Sequence, residues 1–252
     1  MARIVDSDYH NVEVLGEEAV KILKELKILI AGVGGLGSFV ALELAHLGAR
    51  HLIIVDNDKV SHTNLNRQVL YTVSDVGRSK VVVAAERLRK IFPDLTVEAF
   101  NTRIDRASAP YMVSRADVVI DCTDNFETKK LLNRVCYAQK RAFITGGVGT
   151  WEGWVASFPF FKREEEEVPC LECLFPGDVE TMQEAGATGQ PTLVTVVATV
   201  ASVQVNEVAK LVAGRNAGEN LEGKTLLIDL KNYQCTAVKI TKNPKCPVCS
   251  RP

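Results

Sequence analysis

The sequence contains no long hydrophobic run and no excess of charge of either sign. Its most apolar stretch, Leu193 to Val203, is too short to span a bilayer and is interrupted by Thr195, Thr199 and Ser202. The net charge of -1 points to neither nucleic acid nor an anionic membrane as a partner. The first ten residues lack the apolar core of a signal peptide. We therefore expect a soluble, cytoplasmic protein.

Three common signatures of nucleotide-dependent enzymes are also missing. The motif G-x-x-x-x-G-K-[ST] of a P-loop does not occur. Tyr137 is followed by Lys140, which is one position short of the Tyr-x-x-x-Lys pair that many nicotinamide-dependent enzymes use for proton transfer. None of the four histidines lies with an arginine and an acid in a cluster typical of a dehydrogenase. The lack of a Tyr-x-x-x-Lys pair and of such a histidine cluster counts against an oxidoreductase.

Apolar runs typical of buried strands alternate with amphipathic segments along most of the chain. The predicted strands are 27–32, 51–58, 97–100, 116–124, 142–148 and 154–161, and the predicted helices are 16–26, 32–48, 79–92, 127–139 and 193–213. Two further strands, 226–230 and 235–240, are predicted to form an antiparallel hairpin. The pattern predicts an α/β fold with a doubly wound, mostly parallel, Rossmann-like sheet that antiparallel C-terminal strands extend.

A glycine-rich motif follows the first predicted strand. Gly32-Val33-Gly34-Gly35-Leu36-Gly37 matches G-x-G-x-x-G between a strand and a helix. Glycine is needed where a backbone turns tightly and approaches a phosphate, and the helix N-terminus offers N–H groups to that anion. Asp56, at the end of the next strand, is well placed to accept hydrogen bonds from ribose hydroxyls. The motif in this context predicts a nucleotide-binding site.

Cationic, amide and acidic side chains are concentrated after the second and fourth predicted strands. After the second strand come Asp58, Asn64, Asn66, Arg67, Gln68 and Lys80. Arginine gives bidentate contacts to phosphate and lysine a point charge. The fourth strand ends in Asp121-Cys122-Thr123-Asp124-Asn125, at the edge where open α/β sheets bind ligands. One carboxylate there suits a Mg²⁺ ion that bridges phosphates, although Asp124 is also a candidate cap of the next helix.

Two widely separated Cys-x-x-Cys pairs predict a metal site. The pairs are Cys170 with Cys173 and Cys246 with Cys249. Two such turns can supply four thiolates to a closed tetrahedral zinc site, which has no open position for substrate. We therefore predict a structural zinc that ties the C-terminal segment to the middle of the chain, and redox-active dithiols are the alternative.

Several motifs together resemble one known family. GVGGLGS, IVDNDKVSHTNLNRQ, VGRSK, DCTDNFETK and the two Cys-x-x-Cys pairs occur here in one order. This series closely resembles the ubiquitin-activating-enzyme-like adenylyltransferases, and in particular the prokaryotic ThiF/MoeB/HesA group that activates sulfur-carrier proteins in thiamine and molybdopterin synthesis. The resemblance covers nearly the whole chain.

The resemblance implies a reaction and a set of site residues. ATP would be joined to the C-terminal glycine carboxylate of a small ubiquitin-like carrier ending in Gly-Gly, giving an acyl-adenylate and pyrophosphate. Asp56 would hold the ribose, Asp124 would bind Mg²⁺, and the four paired cysteines would bind zinc. The predicted nucleotide-binding residues are Gly32, Gly34, Gly35, Gly37, Asp56, Asp58, Asn64, Arg67, Gln68, Lys80, Asp124 and Asn125. Of these, Arg67, Lys80 and Asp124 are the predicted catalytic residues.

The resemblance also implies an organisation. We predict a single domain over 1–252, with a nucleotide-binding half at about 27–148. The crossover loop and the zinc- and carrier-binding half would cover about 149–252, and a homodimer is expected. No internal repeat and no linker of domain-boundary quality interrupts the chain.

Two positions depart from the family pattern. Where members carry an N-terminal arginine that enters the partner subunit's ATP site, this sequence has Asn11, so either Arg3 substitutes or the sites are shared less. Where thiol-bearing members have a cysteine in the crossover loop, the sequence has Met182, and a thioether cannot form a thioester. The remaining Cys122, Cys136 and Cys235 are predicted to be small buried core residues. We therefore expect the reaction to stop at the acyl-adenylate.

Two other functions remain open from the sequence. One is an NAD-dependent oxidoreductase, since G-x-G-x-x-G is also the fingerprint of that class. The other is adenylation of a peptide carboxylate or a modified tRNA base by the same fold, although the near-neutral charge argues against tRNA.

Overall fold

A mixed sheet of eight strands forms the centre of the computed structural model, which describes residues 8–162, 168–177 and 191–250. The strands are β1 (Lys27–Ala31), β2 (His51–Val55), β3 (Thr96–Phe100), β4 (Val118–Asp121), β5 (Ala142–Val148), β6 (Glu152–Pro159), β7 (Lys224–Asp229) and β8 (Gln234–Lys239). Their order is β3-β2-β1-β4-β5-β6-β7-β8. The first five pair in parallel, and β6, β7 and β8 extend the sheet by antiparallel pairing. The predicted fold class is confirmed.

The helices cover both faces of this sheet. They are α1 (Tyr9–Leu15), α2 (Glu17–Glu25), α3 (Gly35–Leu47), α4 (Lys80–Ile91), α5 (Ala109–Ser114), α6 (Phe126–Ala138), α7 (Leu171–Leu174) and α8 (Val194–Ala213). One core layer contains buried residues of α2, α3, α4 and α8, and the other contains buried residues of α5, α6 and both Cys-x-x-Cys pairs. Successive residues of β1 point to opposite layers, because side chains alternate along a strand: Ile30 packs in the first and Leu29 in the second.

Helix α8 belongs to the first core layer. By length and apolar composition alone it could cross a membrane. It is longer than the stretch Leu193 to Val203, which the sequence analysis judged too short to span a bilayer. Half of its apolar window is buried, with Val196, Val200 and Val208 fully enclosed. It packs against α3, β5 and β6. The composition therefore reflects a core helix of the folded chain.

Three short helices, α1, α5 and the four-residue α7, are absent from the sequence predictions. Helix α1 has no buried residue, and Tyr9 and Val14 are exposed, so no apolar periodicity marks it. Helix α5 has only six residues and has a proline in its first turn. In segments this short, the 3.6-residue repeat is too brief to separate from a loop.

The parallel strands end at one level, and this places the loops that follow them side by side. Ala31 at the end of β1 pairs with Val55 of β2 and with Asp121 of β4, and Asp121 pairs with Thr145 of β5. The glycine motif, the acid after β2 and the Asp121–Asn125 segment therefore meet at the carboxyl edge of the sheet, as expected for an open α/β fold.

Candidate functional site

A cavity of about 1160 Å³ opens at this carboxyl edge. Its lining contains most of the predicted nucleotide-binding residues, namely Gly32, Gly34, Gly35, Asp56, Asp58, Arg67, Gln68, Lys80, Asp124 and Asn125. The predicted residues that are not part of the lining are Gly37 and Asn64. The cavity is therefore the candidate functional site. It contains both the cations suited to binding phosphate and the carboxylates that the sequence analysis identified.

The glycine loop leads from β1 into α3 with very little space. Gly32 has φ +87°, and a Cβ there would lie 3.0 Å from the carbonyl oxygen of Cys122. A Cβ on Gly37 would lie 1.9 Å from the carbonyl oxygen of Gly32. Only glycine at these two positions lets α3 begin this close to β1. The role of Gly37 is therefore to let α3 pack closely against the backbone of the glycine loop.

Asp56 joins the glycine loop to the segment after β2. One carboxylate oxygen accepts the N–H of Val33 at 2.9 Å, and the other accepts the N–H of Asp58 at 2.8 Å. Each carboxylate oxygen can accept a further hydrogen bond, so the side chain can still receive hydroxyl donors from a ligand in the cavity. The predicted location of Asp56 is thus consistent with a ribose contact.

Tyr71, which the sequence reasoning missed, also contacts the glycine loop. Its hydroxyl donates to the carbonyl oxygen of Val33 at 2.6 Å. Burial raises the pKa of Tyr71 far above its usual value, and the nearby Asp56 and Asp58 carboxylates add to this shift. The hydroxyl therefore remains a donor at neutral pH. No sequence motif marks this tyrosine, because its partner is a backbone atom far along the chain.

Among the described residues, four cations line the cavity, namely Arg67, Lys80, Arg103 and Lys129, and the first two are the predicted phosphate ligands. The Lys80 ammonium, at the start of α4, is buried and donates to the Asp58 carboxylate at 2.8 Å. The Arg67 guanidinium donates to the carbonyl oxygen of Thr63 at 3.0 Å and to the Asn66 side chain at 2.9 Å. A guanidinium has five N–H donors, so Arg67 keeps donors for an anion in the cavity.

The two neighbouring amides differ in their roles. Asn64 accepts the N–H of Ser61 at 3.2 Å and so caps a short 3₁₀ turn. Gln68 is buried at the cavity, and its side-chain oxygen has no partner among the described residues. A buried oxygen without a partner costs free energy, so a ligand that donates to it would gain affinity. The role of Asn64 in binding the nucleotide stays a prediction.

The end of β4 and the loop after it carry two carboxylates, Asp121 and Asp124, which lie in different environments. Asp121 is fully buried and accepts hydrogen bonds from Lys129 at 2.9 Å and Thr145 at 2.5 Å. Asp124 is exposed in the cavity, and its carboxylate has no partner within the described part of the chain. Asn125, rather than Asp124, caps α6 by accepting the N–H of Thr128 at 2.9 Å. The interpretation of Asp124 as a helix cap is therefore wrong, and its carboxylate is available to a cation.

Sequence reasoning missed several other cavity residues. Thr102, Arg103 and Ile104 follow β3 and line the cavity. They could have been found by the same rule that identified the other loops, because β3 also ends at the carboxyl edge. Trp154 and Phe175 line the opposite side. No motif marks these aromatic residues, since the antiparallel extension and the cysteine turn position them through tertiary packing.

The four paired cysteines come together as a compact cluster, which we call the four-cysteine cluster (Cys170, Cys173, Cys246 and Cys249). All four Sγ atoms lie within 4.8 Å of one another. Cys170 and Cys246 are separated by 3.5 Å, and Cys173 and Cys249 by 3.4 Å. A tetrahedron with metal–sulfur bonds of about 2.3 Å requires about 3.8 Å between sulfurs, so the donors fit one ion with little movement. A hydrogen bond from Cys249 lowers the pKa of Cys170 to about 6, whereas the contact with Cys170 raises the pKa of Cys249 and burial raises that of Cys246, so without a metal one thiolate is favoured.

The other three cysteines divide into two environments. Cys122 and Cys136 are buried as predicted, and burial raises the pKa of both thiols well above its usual value. The prediction for Cys235 is wrong, because this residue is exposed on the edge strand β8. Its neighbours Gln234 and Thr236 line the cavity. Since side chains alternate along a strand, Cys235 points to the other face of the sheet.

Asn11 has a contact within its own chain. Its amide nitrogen donates to the carbonyl oxygens of His46 at 3.1 Å and Leu47 at 3.0 Å, so it caps the end of α3. Arg3 and Met182, on which the two family departures depend, lie outside the described residues. Those interpretations stay predictions.

The sequence matches the ThiF family over residues 6–248. It is similar to a sulfur carrier protein adenylyltransferase of Thermus thermophilus, with 34% identity over 249 residues, which is 96% of this chain and 89% of the relative. It is also 34% identical over 239 residues to a molybdopterin-synthase adenylyltransferase of Salmonella typhimurium, covering 94% of this chain and 90% of that protein.

A solved structure with a similar fold is a complex of Escherichia coli MccB with ATP. The TM-score is 0.83 at 23% sequence identity, and the match covers 98% of this chain and 75% of that one. At this identity the likeness concerns the fold alone.

We predict that Gly37→Ala destabilises the fold by about 3 kcal/mol or more, because the new methyl group would meet the backbone oxygen of Gly32. Gly35→Ala in the same helix is the matched control. Its Cβ would meet side-chain atoms of Val197 at 3.2 Å, which can shift, so a cost below about 1 kcal/mol is expected. Urea unfolding of both variants measures the difference, and equal stabilities would contradict the packing role of Gly37.

A second prediction concerns the four-cysteine cluster. The parent should contain about one metal ion per chain, and Cys249→Ser should lose most of it. The loss should lower the melting temperature by roughly 6–12 °C, the shift expected for about 3 kcal/mol. Cys235→Ser, at an exposed cysteine outside the cluster, should change neither quantity. Elemental analysis and calorimetry test this, and a metal-free Cys249→Ser variant that melts like the parent would overturn a structural role.

Proposed function

The chain belongs to the ThiF family, and from this premise we propose that it is an adenylyltransferase that activates the C-terminal carboxylate of a small ubiquitin-like sulfur-carrier protein with ATP. The observation that carries the proposal is the convergence on one cavity of a glycine loop, the cations Arg67 and Lys80, and the Asp124 carboxylate, which has no partner among the described residues. Both relatives described above are named adenylyltransferases.

In this proposal the nucleotide lies along the glycine loop. Gly32, Gly34 and Gly35 leave room for the phosphates to approach the backbone, and the N-terminus of α3 faces them. Asp56 accepts hydrogen bonds from the ribose. Arg67 and Lys80 neutralise phosphate charge, and the Lys80 ammonium has further N–H donors for the ligand besides the one that binds Asp58.

The reaction needs no general base. The carboxylate of the carrier's last glycine is ionised at neutral pH, because its pKa lies near 3.5. One of its oxygens bonds to the α-phosphorus while the bond from that phosphorus to the pyrophosphate oxygen breaks, and pyrophosphate takes the electron pair. The protein orients the two reactants and offsets the charge that grows on the phosphoryl oxygens, which is the role of Arg67 and Lys80.

We assign Mg²⁺ to Asp124. The support is its exposed carboxylate at the cavity, which has no protein partner among the described residues, while the neighbouring Asp121 is already satisfied by Lys129 and Thr145. A hard cation prefers such an oxygen ligand together with phosphate oxygens and water. Bound there, Mg²⁺ would offset charge on the triphosphate.

We assign zinc to the four-cysteine cluster. Four thiolates at tetrahedral spacing are the donor set of a closed structural zinc site. Such a site contributes to folding and leaves no coordination position for substrate.

The carrier's tail would enter along the antiparallel strands. The cavity continues from the nucleotide loops past Gly147 and Trp154 to Leu227 and Thr236. In this proposal the chain is one domain, in which a nucleotide-binding half, about 27–148, and a half with the crossover loop, zinc and carrier-binding regions, about 149–252, would share the cavity. A cytoplasmic homodimer completes the proposal.

The oxidoreductase alternative finds no support in the cavity. Its described lining contains neither a histidine nor a tyrosine that could transfer a proton to a carbonyl or alcohol substrate. A peptide carboxylate in place of a protein carrier would use the same chemistry, and comparing a Gly-Gly peptide with the folded carrier distinguishes the two.

We predict that Asp124→Ala lowers the rate of pyrophosphate release with ATP, Mg²⁺ and carrier by roughly 10²–10³-fold, because the metal loses its protein ligand. Asp94→Ala is the matched control, since Asp94 is an exposed aspartate outside the cavity. Circular dichroism should give the same spectrum for both variants. An Asp124→Ala enzyme with the parent rate would contradict the assigned role.

We also predict that no covalent adduct forms between a protein thiol and the carrier. Cys122 and Cys136 are buried with raised pKa values, Cys235 faces away from the cavity, and the cluster holds the other sulfurs. After incubation with ATP, Mg²⁺ and carrier, intact-mass spectrometry should detect carrier adenylate and unmodified enzyme. A conjugate that dithiothreitol cleaves would refute this expectation, and Cys235→Ser would show whether the exposed thiol forms it.

A further inference from the structure

Helix α6 connects the cavity to the four-cysteine cluster. Its first residue, Phe126, lines the cavity directly after Asp124 and Asn125. Further along the same helix, the fully buried Asn133 accepts the N–H of Leu171 at 3.0 Å, inside the first Cys-x-x-Cys turn. Tyr137 donates from its hydroxyl to the carbonyl oxygen of Cys249 at 3.3 Å, in the second turn. One rigid element thus contacts both sites.

A buried carboxylate strengthens this connection. Glu172 lies between Cys170 and Cys173 and is only 4% exposed. It pairs with Lys130 at 3.2 Å and accepts two hydrogen bonds from Arg134, at 2.8 and 3.0 Å, and both cations are on α6. Taking such charges out of water costs free energy that a pair of apolar residues would not incur. The ion pairs of Glu172 are therefore better explained by the fixed orientation that they give to the first Cys-x-x-Cys turn on α6.

Lys130 also contacts the segment that follows the first Cys-x-x-Cys turn. It donates a hydrogen bond to the carbonyl oxygen of Gly177. Between these anchors lies Phe175, two residues after Cys173, and its ring lines the cavity. The ring packs against Phe126 with a centroid separation of 5.3 Å and against Trp154 at 4.9 Å.

We propose that the metal in the four-cysteine cluster sets the shape of the cavity through the segment Cys170–Gly177, with Phe175 as the positioning residue. The metal fixes the turn, the Glu172 ion pairs fix its orientation on α6, and Phe175 then supports Phe126 and Trp154. Phe126 in turn follows the loop that carries Asp124. The effect on ATP rests on the proposed function, whereas the coupling between cluster and aromatic ring does not.

Trp154 provides a direct readout of this coupling. The chain has two tryptophans, and Trp151 is not part of the cavity lining. In a Trp151→Phe protein the emission therefore reports on Trp154 alone. Removing the metal with a chelator should shift the emission of Trp154 to the red, because Phe175 no longer shields it, and adding zinc back should reverse the shift.

Three variants in the same background test the positioning role. Phe175→Ala should keep its metal and weaken binding of Mg·ATP by about tenfold, as expected for the loss of two aromatic contacts. Phe175→Leu should restore much of this affinity. Glu172→Gln should shift the emission of Trp154 while the metal content stays at the parent level. Phe161→Ala, at an exposed phenylalanine outside the cavity, is the matched control.

The outcomes separate the two proposals. If metal removal and Phe175→Ala both leave Trp154 emission unchanged, the coupling is refuted while the proposed activity stands. If emission responds but Mg·ATP affinity in Phe175→Ala equals that of the parent, the ring does not position the site and the proposal is also overturned. If the parent does not bind ATP at all, the proposed function fails, and the response of Trp154 to metal still decides the coupling.

Discussion

The parallel pairing of β1 with β4 brings together the two loops on which the site depends. Ala31 pairs with Asp121, so the glycine loop and the loop carrying Asp124 begin at the same level of the sheet although they are far apart in sequence. The contact is so close that only glycine fits at position 32 beside the Cys122 carbonyl. The antiparallel extension then lengthens the cavity in one direction, towards β7 and β8.

Asp121 and Lys129 hold this arrangement in place. The ion pair is almost fully enclosed; the Thr145 hydroxyl donates a further hydrogen bond to Asp121, and the carbonyl oxygen of Gly146 accepts one from Lys129. Because all of these groups are satisfied, the desolvation cost is offset and the pair fixes β4, β5 and α6 relative to one another. Asp124, by contrast, is exposed at the cavity and has no partner in the described part of the chain. The structure thus uses one carboxylate to build the site and leaves the next one for a ligand.

The charges at the cavity fit an anionic ligand with a bound cation. Lys80 is held by Asp58, and Arg67 by a backbone carbonyl, so both cations are oriented before a phosphate arrives. Orientation in advance reduces the reorganisation needed during phosphoryl transfer. The side-chain oxygen of the buried Gln68, which has no partner within residues 8–162, 168–177 and 191–250, adds a further preference for a ligand that can donate a hydrogen bond.

Most of the sheet and the four-cysteine cluster could be predicted from the sequence. Strands such as 27–32 and 142–148 are short buried runs, and paired cysteines need only their spacing to indicate a metal. The contacts that could not be predicted are tertiary. Tyr71 binds a backbone carbonyl, Asn11 caps a helix in its own chain, and Phe175 reaches the cavity through the cysteine turn. The exposure of Cys235 was missed because β8 is exposed along its whole length, which an alternating sequence pattern does not reveal.

The most direct test of the central claim is isotope exchange between pyrophosphate and ATP. Reversible formation of an acyl-adenylate predicts that labelled pyrophosphate enters ATP only when Mg²⁺ and a carrier with an intact C-terminal Gly-Gly are present. A carrier with an amidated C-terminus should support no exchange, because its carboxylate is blocked. Exchange that does not depend on the carrier's carboxylate, or its complete absence with every Gly-Gly carrier while the protein binds NAD, would contradict the account.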